Sequence, residues 1–130
     1  MGQQQLLLIV LGVIIVGIAV VVGINLFNAN AEEAAKDGVV SDATNLGAMA
    51  QQHYKKPAAM GGGANAFDNS NGGVTWDIPT QLATTANGFY TASVAAQTVT
   101  ITGTPDPNFG YLWTTTTTVT PTTITTTGSW

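Results

Sequence analysis

The sequence predicts an α+β fold: a long N-terminal α-helix of about 50 residues, apolar through its first half, whose C-terminal half packs against a small antiparallel β-sheet head. Three observations predict it. Leu6 to Ile24 are nineteen consecutive positions without a charged or polar side chain. No proline follows until Pro57, and the stretch before it keeps a helical period. Beyond a glycine-rich loop the chain turns to short β-prone runs, with Thr at 15 of the 33 residues from Thr98 to Trp130.

The first element, residues 1–24, places only Met-Gly-Gln-Gln-Gln before the apolar run. A helix over those nineteen residues is roughly 28 Å long, close to the hydrocarbon thickness of a bilayer. A helix apolar on all sides must be buried in lipid or in protein. A secretory signal would carry a basic n-region and a shorter apolar stretch, neither of which is present, although Ala29-Asn30-Ala31 offers a small-x-small site. The missing basic flank leaves the orientation of a membrane anchor unspecified, and a Lys- or Arg-rich leader removed before Met1 would supply it. Gly12, Gly17 and Gly23 interrupt the run at about 1 kcal/mol each relative to Ala in an exposed helix. They read either as close helix packing in lipid or as points where the helix softens and bends, and no GxxxG spacing is present.

Residues 25–56 continue the same helix. Ala31 to Asp37, AEEAAKD, favours helix, and Glu32 can pair with Lys36 at i, i+4. Val39, Ala43, Leu46 and Ala50 recur at steps of four, three and four, giving one apolar stripe with Asp42, Asn45 and Gln52 off it. Lys55 and Lys56 suit the negative end of the helix dipole, and Pro57 with Gly61 to Gly63 ends the helix.

After the loop at 57–73 comes a Thr-rich head at 74–130. Strands are expected at Val74–Ile78, Phe89–Val94, Thr98–Thr102, Tyr111–Val119 and Thr122–Thr127, separated by turn signals that include Asn87-Gly88 and Pro105-Asp106-Pro107-Asn108. Nine of the ten aromatic residues lie beyond His53, which argues against an aromatic ladder along the helix. Trp76, Phe89, Tyr90, Phe109, Tyr111 and Trp113 are expected in the head core. The tail TTTTTVTPTTITTTGSW reads as an edge strand, a strand shared between subunits, or a mucin-like segment O-glycosylated at Thr114, Thr115, Thr116, Thr117 and Thr118. A strand is preferred. No Asn-x-Ser/Thr sequon occurs.

Composition argues against most chemistry. Seven acidic residues against three lysines and no arginine give a net charge of −4, no footprint for nucleic acid. With no cysteine there is no disulfide and no thiolate metal site, and His53, the one histidine, reads as a solvated or capping residue. Asp68-Asn69-Ser70-Asn71-Gly72-Gly73 is similar to the start of a calcium loop, but Pro79 stands where the closing glutamate is needed, so it reads as a turn. Glu32 and Glu33 point about 100° apart on a helix and are no acid/base pair. No P-loop, dinucleotide fingerprint or nucleophile elbow is present. No catalytic residue, metal or cofactor is expected, and the chain reads as a structural protein.

An apolar helix at the chain start, an amphipathic continuation and a β-rich head together resemble the plan of type IV pilins. The matching residues are Met1, where the family usually has a methylated Phe or Met, Gln5, where it usually has glutamate, and the run from Leu6 through Ile24. AQQHYKKP at Ala50 to Pro57 is similar to the helix exit of bacterial members, although archaeal filament proteins share the N-terminal helix and often have Thr-rich heads. The likeness covers about the first 60 residues, the length over which the helical pattern runs. It implies removal of a leader by a prepilin peptidase, methylation at Met1, a single inner-membrane span before assembly, and extraction by an ATP-driven type IV pilus assembly machine. It also implies a homopolymer whose core holds Gln5, Leu6, Leu7, Leu8, Ile9, Leu11, Ile14, Ile15 and Ile18. The expected product is an extracellular filament for adhesion, motility or surface contact. Gln5 departs from the family's glutamate and cannot neutralise a neighbour's ammonium, which also admits a minor pilin or type II secretion pseudopilin. A third alternative is a monomeric single-pass membrane-anchored binding module. The family's helix-bending proline is absent near Val22, with Gly17 and Gly23 the substitutes, and its C-terminal disulfide loop cannot form.

Overall fold

A computed structural model describes residues 2–130 of the chain. Met1, the residue expected to carry the modified N-terminus, lies outside the described residues. One helix, α1, spans Gly2–Lys55. A single helical turn, α2, follows at Thr80–Ala83, and four strands complete the order: β1 Gly88–Val94, β2 Val99–Pro105, β3 Thr115–Val119 and β4 Ile124–Gly128. The chain divides into two compact units, Met1–Ala34 and Ala35–Trp130.

In the first unit α1 is unbroken through Gly12, Gly17 and Gly23, and residues 2–31 are all exposed. Leu6, Leu8, Ile14 and Ile24 are 62, 69, 53 and 55% exposed.

The second unit holds the core. Its sheet is a meander, β1-β2-β3-β4, antiparallel throughout, as short connections between sequential strands favour. Val39, Ala43, Leu46 and Ala50, the stripe expected from their spacing, are all buried. Opposite them the inward residues of the strands, Tyr90, Val99, Ile101 and Val119, join one cluster with Phe67, Trp76, Ile78 and Trp113. Two of the four stripe residues are alanines, and the sheet comes tightly against the helix at Gly103, which faces Val39. At Gly103 on β2 an added Cβ would fall 2.5 Å from Thr115 Oγ1 and 2.9 Å from Val39 Cγ1, so only glycine fits without a shift.

The helix ends where Pro57 and the glycines predict, and the loop behind it takes up the last carbonyls. Gly63 N–H donates to His53 O at 2.9 Å, Asn65 N–H to Tyr54 O at 2.8 Å and Ala64 N–H to Lys56 O at 3.0 Å. A Cβ on Gly63 would lie 1.8 Å from the Ala66 carbonyl oxygen, which fixes glycine there.

Several local expectations are corrected. Val74–Ile78 forms no strand, because amides of this segment turn to the loop: Val74 N–H donates to Gly62 O at 3.0 Å and Trp76 N–H to Phe67 O at 2.7 Å. The loop itself contributes a fully buried Phe67, which the glycine-rich composition conceals. The strand expected from Tyr111 begins only at Thr115, after a 3-10 turn at Pro107–Phe109 closed by Gly110 in the left-handed region at φ 73°. Phe89 and Phe109 are 40 and 48% exposed rather than in the core. Phe89 sits between the buried Gly88 and Tyr90, so the two-residue period of β1 turns it outward.

Gly103→Val should lower the stability of the Ala35–Trp130 unit by about 1–3 kcal/mol through overpacking, while Thr102→Val on the opposite face should stay within about 0.5 kcal/mol of the parent. Thermal unfolding of the detergent-solubilised chain, followed by near-ultraviolet circular dichroism of the buried tryptophans, checks both.

Candidate functional site

The chain presents two features from which function can be argued: the uncovered apolar segment of α1 and the junction that ties the later part of α1 to the sheet. The first arises directly from sequence. Gln5, Leu6, Leu7, Leu8, Ile9, Leu11, Ile14, Ile15 and Ile18, the expected assembly residues, are all exposed and distributed around the helix rather than along one stripe. A Cβ on Gly12, Gly17 or Gly23 would meet nothing within 4 Å, so no packing inside the chain requires those glycines. By length and composition this helix is able to cross a membrane. The apolar face has no edge, and the solvent or partner that covers it must surround it.

The junction was not legible in the sequence. Asp42 lies beside the buried stripe, and its Oδ2 accepts three hydrogen bonds: from Tyr90 Oη at 2.7 Å, Thr85 Oγ1 at 2.9 Å and Asn87 Nδ2 at 2.9 Å. Thr85 and Asn87 belong to the turn that leads into β1, and Tyr90 to β1 itself, so one carboxylate fixes the helix against the sheet's first edge. Burial alone would raise the Asp42 pKa, but the bonds from Asn87, Tyr90 and Thr85 outweigh it and hold the carboxyl below its usual 3.8. Burial, the bond to Asp42 and the charge of Asp42 push the Tyr90 phenol above its ordinary value, which keeps it a neutral donor. These partners stand 43 to 48 residues from Asp42, so no local spacing announces them.

The other end of the junction is tied by neutral groups. Gln51 Nε2 donates to Thr120 O at 2.9 Å in the β3–β4 turn, and Tyr54 Oη donates to Gln97 Oε1 at 2.9 Å in the β1–β2 turn. The His53 Nε2 contact is with the Val74 carbonyl oxygen, a structural role for the one histidine. Beside Asp42 a groove of about 410 Å³ is lined by Asn45, Leu46, Met49, Leu82 and Thr85. Its one ionisable wall group, Asp42, already has its donors, and among the described residues no second titratable group lines it.

The remaining predicted positions separate by strand register. Thr115 and Thr117 are fully buried, which removes them as glycan acceptors in the folded head, whereas Thr116 and Thr118 are exposed and Thr114 is partly buried. Asp68 Oδ1 accepts the Ser70 amide at 2.9 Å, the turn expected of that segment. Among the described residues no three His, Cys, Asp or Glu side chains are grouped to hold a metal ion. An aromatic series missed as a unit runs Phe109, Tyr111, Trp113 and Trp130 with centroids 5.4 to 5.9 Å apart, and Lys36 Nζ lies 5.4 Å from the Trp130 ring. Compared with protein-family models, curated proteins and solved structures, the chain matches none.

Asp42→Asn should destabilise the head by about 1–3 kcal/mol, since an amide cannot accept all three donors and loses the charge that strengthens them. The folded pKa of Asp42 is depressed, so its contribution is present above the unfolded value of 3.8 and is lost as pH falls through the lower folded value. Melting temperature against pH should therefore fall in the parent below about pH 4, and that component of the fall should be missing in Asp42→Asn.

Proposed function

We propose that this chain is the structural subunit of an extracellular filament of the type IV pilin kind, held together through its N-terminal helices. The observation that carries the reading is the uniform exposure of Leu6 to Ile24, where the large apolar side chains are 51 to 69% exposed on every side of the helix. Water is a poor solvent for such a surface, and each fully covered Val, Leu or Ile gains about 1.5–3 kcal/mol relative to exposure in water. Lipid covers it before assembly and the same helix of neighbouring copies covers it afterwards. Because lipid and protein are both apolar, the net gain on leaving the bilayer is a packing difference, smaller than the transfer from water.

The second unit supports the reading by being self-sufficient. Its core closes around Val39, Ala43, Leu46 and Ala50 without drawing on the apolar run, so the run is left free for partners. In the proposed subunit, Gln5 supplies neutral hydrogen bonds where pilins usually have a carboxylate, and subunit association depends on apolar packing. A prepilin peptidase, an assembly machine and an inner-membrane intermediate belong to the same proposal. The neutral Gln5 is the one feature that favours a minor pilin or pseudopilin instead, a subunit that enters a filament only with another.

Electron microscopy of material sheared from cells that make the protein, with mass spectrometry of its composition, tests this. Filaments built mainly of this chain are expected, and Ile14→Asp, at a cost of about 2.5–3.5 kcal/mol for a charge at mid-helix in lipid, should abolish them. A chain present only in trace within filaments would indicate the minor-subunit role, and a chain confined to the membrane fraction as a monomer would overturn the filament reading.

A further inference from the structure

Leu112 is 96% exposed, more than any other large apolar side chain among the described residues, including Phe27 on the uncovered helix at 73%. Its backbone is nevertheless held on both sides. Tyr111 and Trp113 stack at 5.9 Å with 20° between ring planes, which puts both on one side of the segment and leaves Leu112 between them on the other. Before it, Asp106 Oδ1 accepts the Asn108 amide at 2.9 Å and Gly110 N–H donates to Pro107 O at 3.1 Å. After it, Thr114 N–H donates to Ser129 Oγ at 2.8 Å and Ser129 N–H to Thr114 O at 2.9 Å. Phe109 and Trp130, 48 and 53% exposed, widen the apolar surface around it. A fixed apolar projection loses little conformational freedom when it is covered, which is the property of an interface anchor.

The same head carries a depression suited to such a projection. The groove of about 410 Å³ beside Asp42 is lined by the buried Leu46 and by Met49 and Leu82, the last 38% exposed. Met49 has the flexible, unbranched side chain that adapts to an incoming apolar group. Asp42 and Thr85 set the groove at the β1 side of the sheet, whereas Leu112 lies at the entry to β3, two strands away. At its exposure Leu112 fills no groove of its own chain. Charge matches as well. Lys36 Nζ, over the Trp130 ring, is the cation beside the projection, and Asp106 on that side is engaged as the cap of its own 3-10 turn. The groove's one ionisable side chain is Asp42, whose three donors all take Oδ2 and leave Oδ1 as the second acceptor.

We propose that Leu112 of one copy seats in the groove of Leu46, Met49 and Leu82 on the next copy, with Lys36 of the first set toward Asp42 of the second. Projection and groove are different surfaces, so the contact is heterologous: each copy keeps one of each for a further neighbour, and copies add in a line unless the rotation closes a ring. The contact also supplies what the apolar helix lacks. Leu6 to Ile24 are apolar on every side and set no rotation between neighbours, whereas a discrete projection in a discrete groove does. The inference rests on the filament reading above, which brings copies of the head together at high effective concentration.

The chain has no cysteine, so disulfides between copies form only through introduced thiols. Sheared material and membranes from cells making Leu112→Cys, Leu82→Cys or both in one chain are oxidised mildly and separated by size without reductant. The double variant is expected to give a ladder of dimers, trimers and longer products, because every copy can bridge two neighbours. Each single variant should stay monomeric, the two single variants made together should stop at dimers, and Leu112→Cys with Thr102→Cys on the outward sheet face should give no ladder. In the otherwise unaltered chain, Leu112→Asp should leave thermal unfolding unchanged, since the site is 96% exposed, and lower the filament recovered by about tenfold or more by burying an unpaired carboxylate. Adding Leu82→Lys, which sets the opposite charge in the groove, should restore filaments. No bridge, a double-variant product that ends at the dimer, an equal ladder through Thr102→Cys, or a filament yield unmoved by Leu112→Asp overturns the inference. Filaments without the bridge would overturn it while leaving the filament reading intact, and a ladder in membranes without filaments would do the reverse.

Discussion

The head depends on the seating of its sheet on the buried stripe Val39, Ala43, Leu46 and Ala50 of α1. Val39 and Leu46 fill the interface between the alanines Ala43 and Ala50, and Gly103 on β2 leaves out the side chain that would collide with Val39. Apolar contact of this kind has no direction and would allow the sheet to slide along the helix. Asp42 supplies the direction. Its Oδ2 accepts from Thr85, Asn87 and Tyr90, three directional bonds that tie the start of β1 to one point of the helix. Gln51 and Tyr54 repeat the fixing further along the helix with neutral groups. The strands that follow inherit their place through ladder pairing.

That arrangement divides the chain into a unit with a core of its own and a helix segment whose apolar side chains have none. The Ala35–Trp130 unit gathers Phe67, Trp76, Tyr90, Trp113 and the inward branched residues of its strands into one core, caps the end of α1 with loop amides and pairs its inward hydroxyls. The residues before it carry nineteen positions that no polar environment suits. The proposed filament subunit would use both, the head as a unit with its own core and the segment as a surface that exchanges one apolar surrounding for another. The absence of cysteine places the whole burden of head stability on packing and on hydrogen bonds such as those of Asp42.

Much of this was legible from local pattern. The stripe at Val39, Ala43, Leu46 and Ala50 followed from its spacing, the helix end from Pro57 and the glycines, and β1 and β2 to within a residue or a few from Asn87-Gly88 and the alternation of Val99 and Ile101 with threonine. Errors arose where the outcome depended on distant chain. Val74–Ile78 has the composition of a strand, but its amides are taken by Gly62 and Phe67. Phe89 has the composition of core, but the parity of β1 turns it out.

By itself the sequence determined what is covalently local: a charge-free run that must leave water, a helical period with one dry face, and turns at which glycine and proline restrict the backbone. Those follow from side-chain polarity and backbone sterics within a few residues. Only the tertiary structure decided which carboxylate orients the head and which threonines face outward. Both depend on register between segments far apart in sequence, where a shift of one residue would exchange the buried and exposed sets.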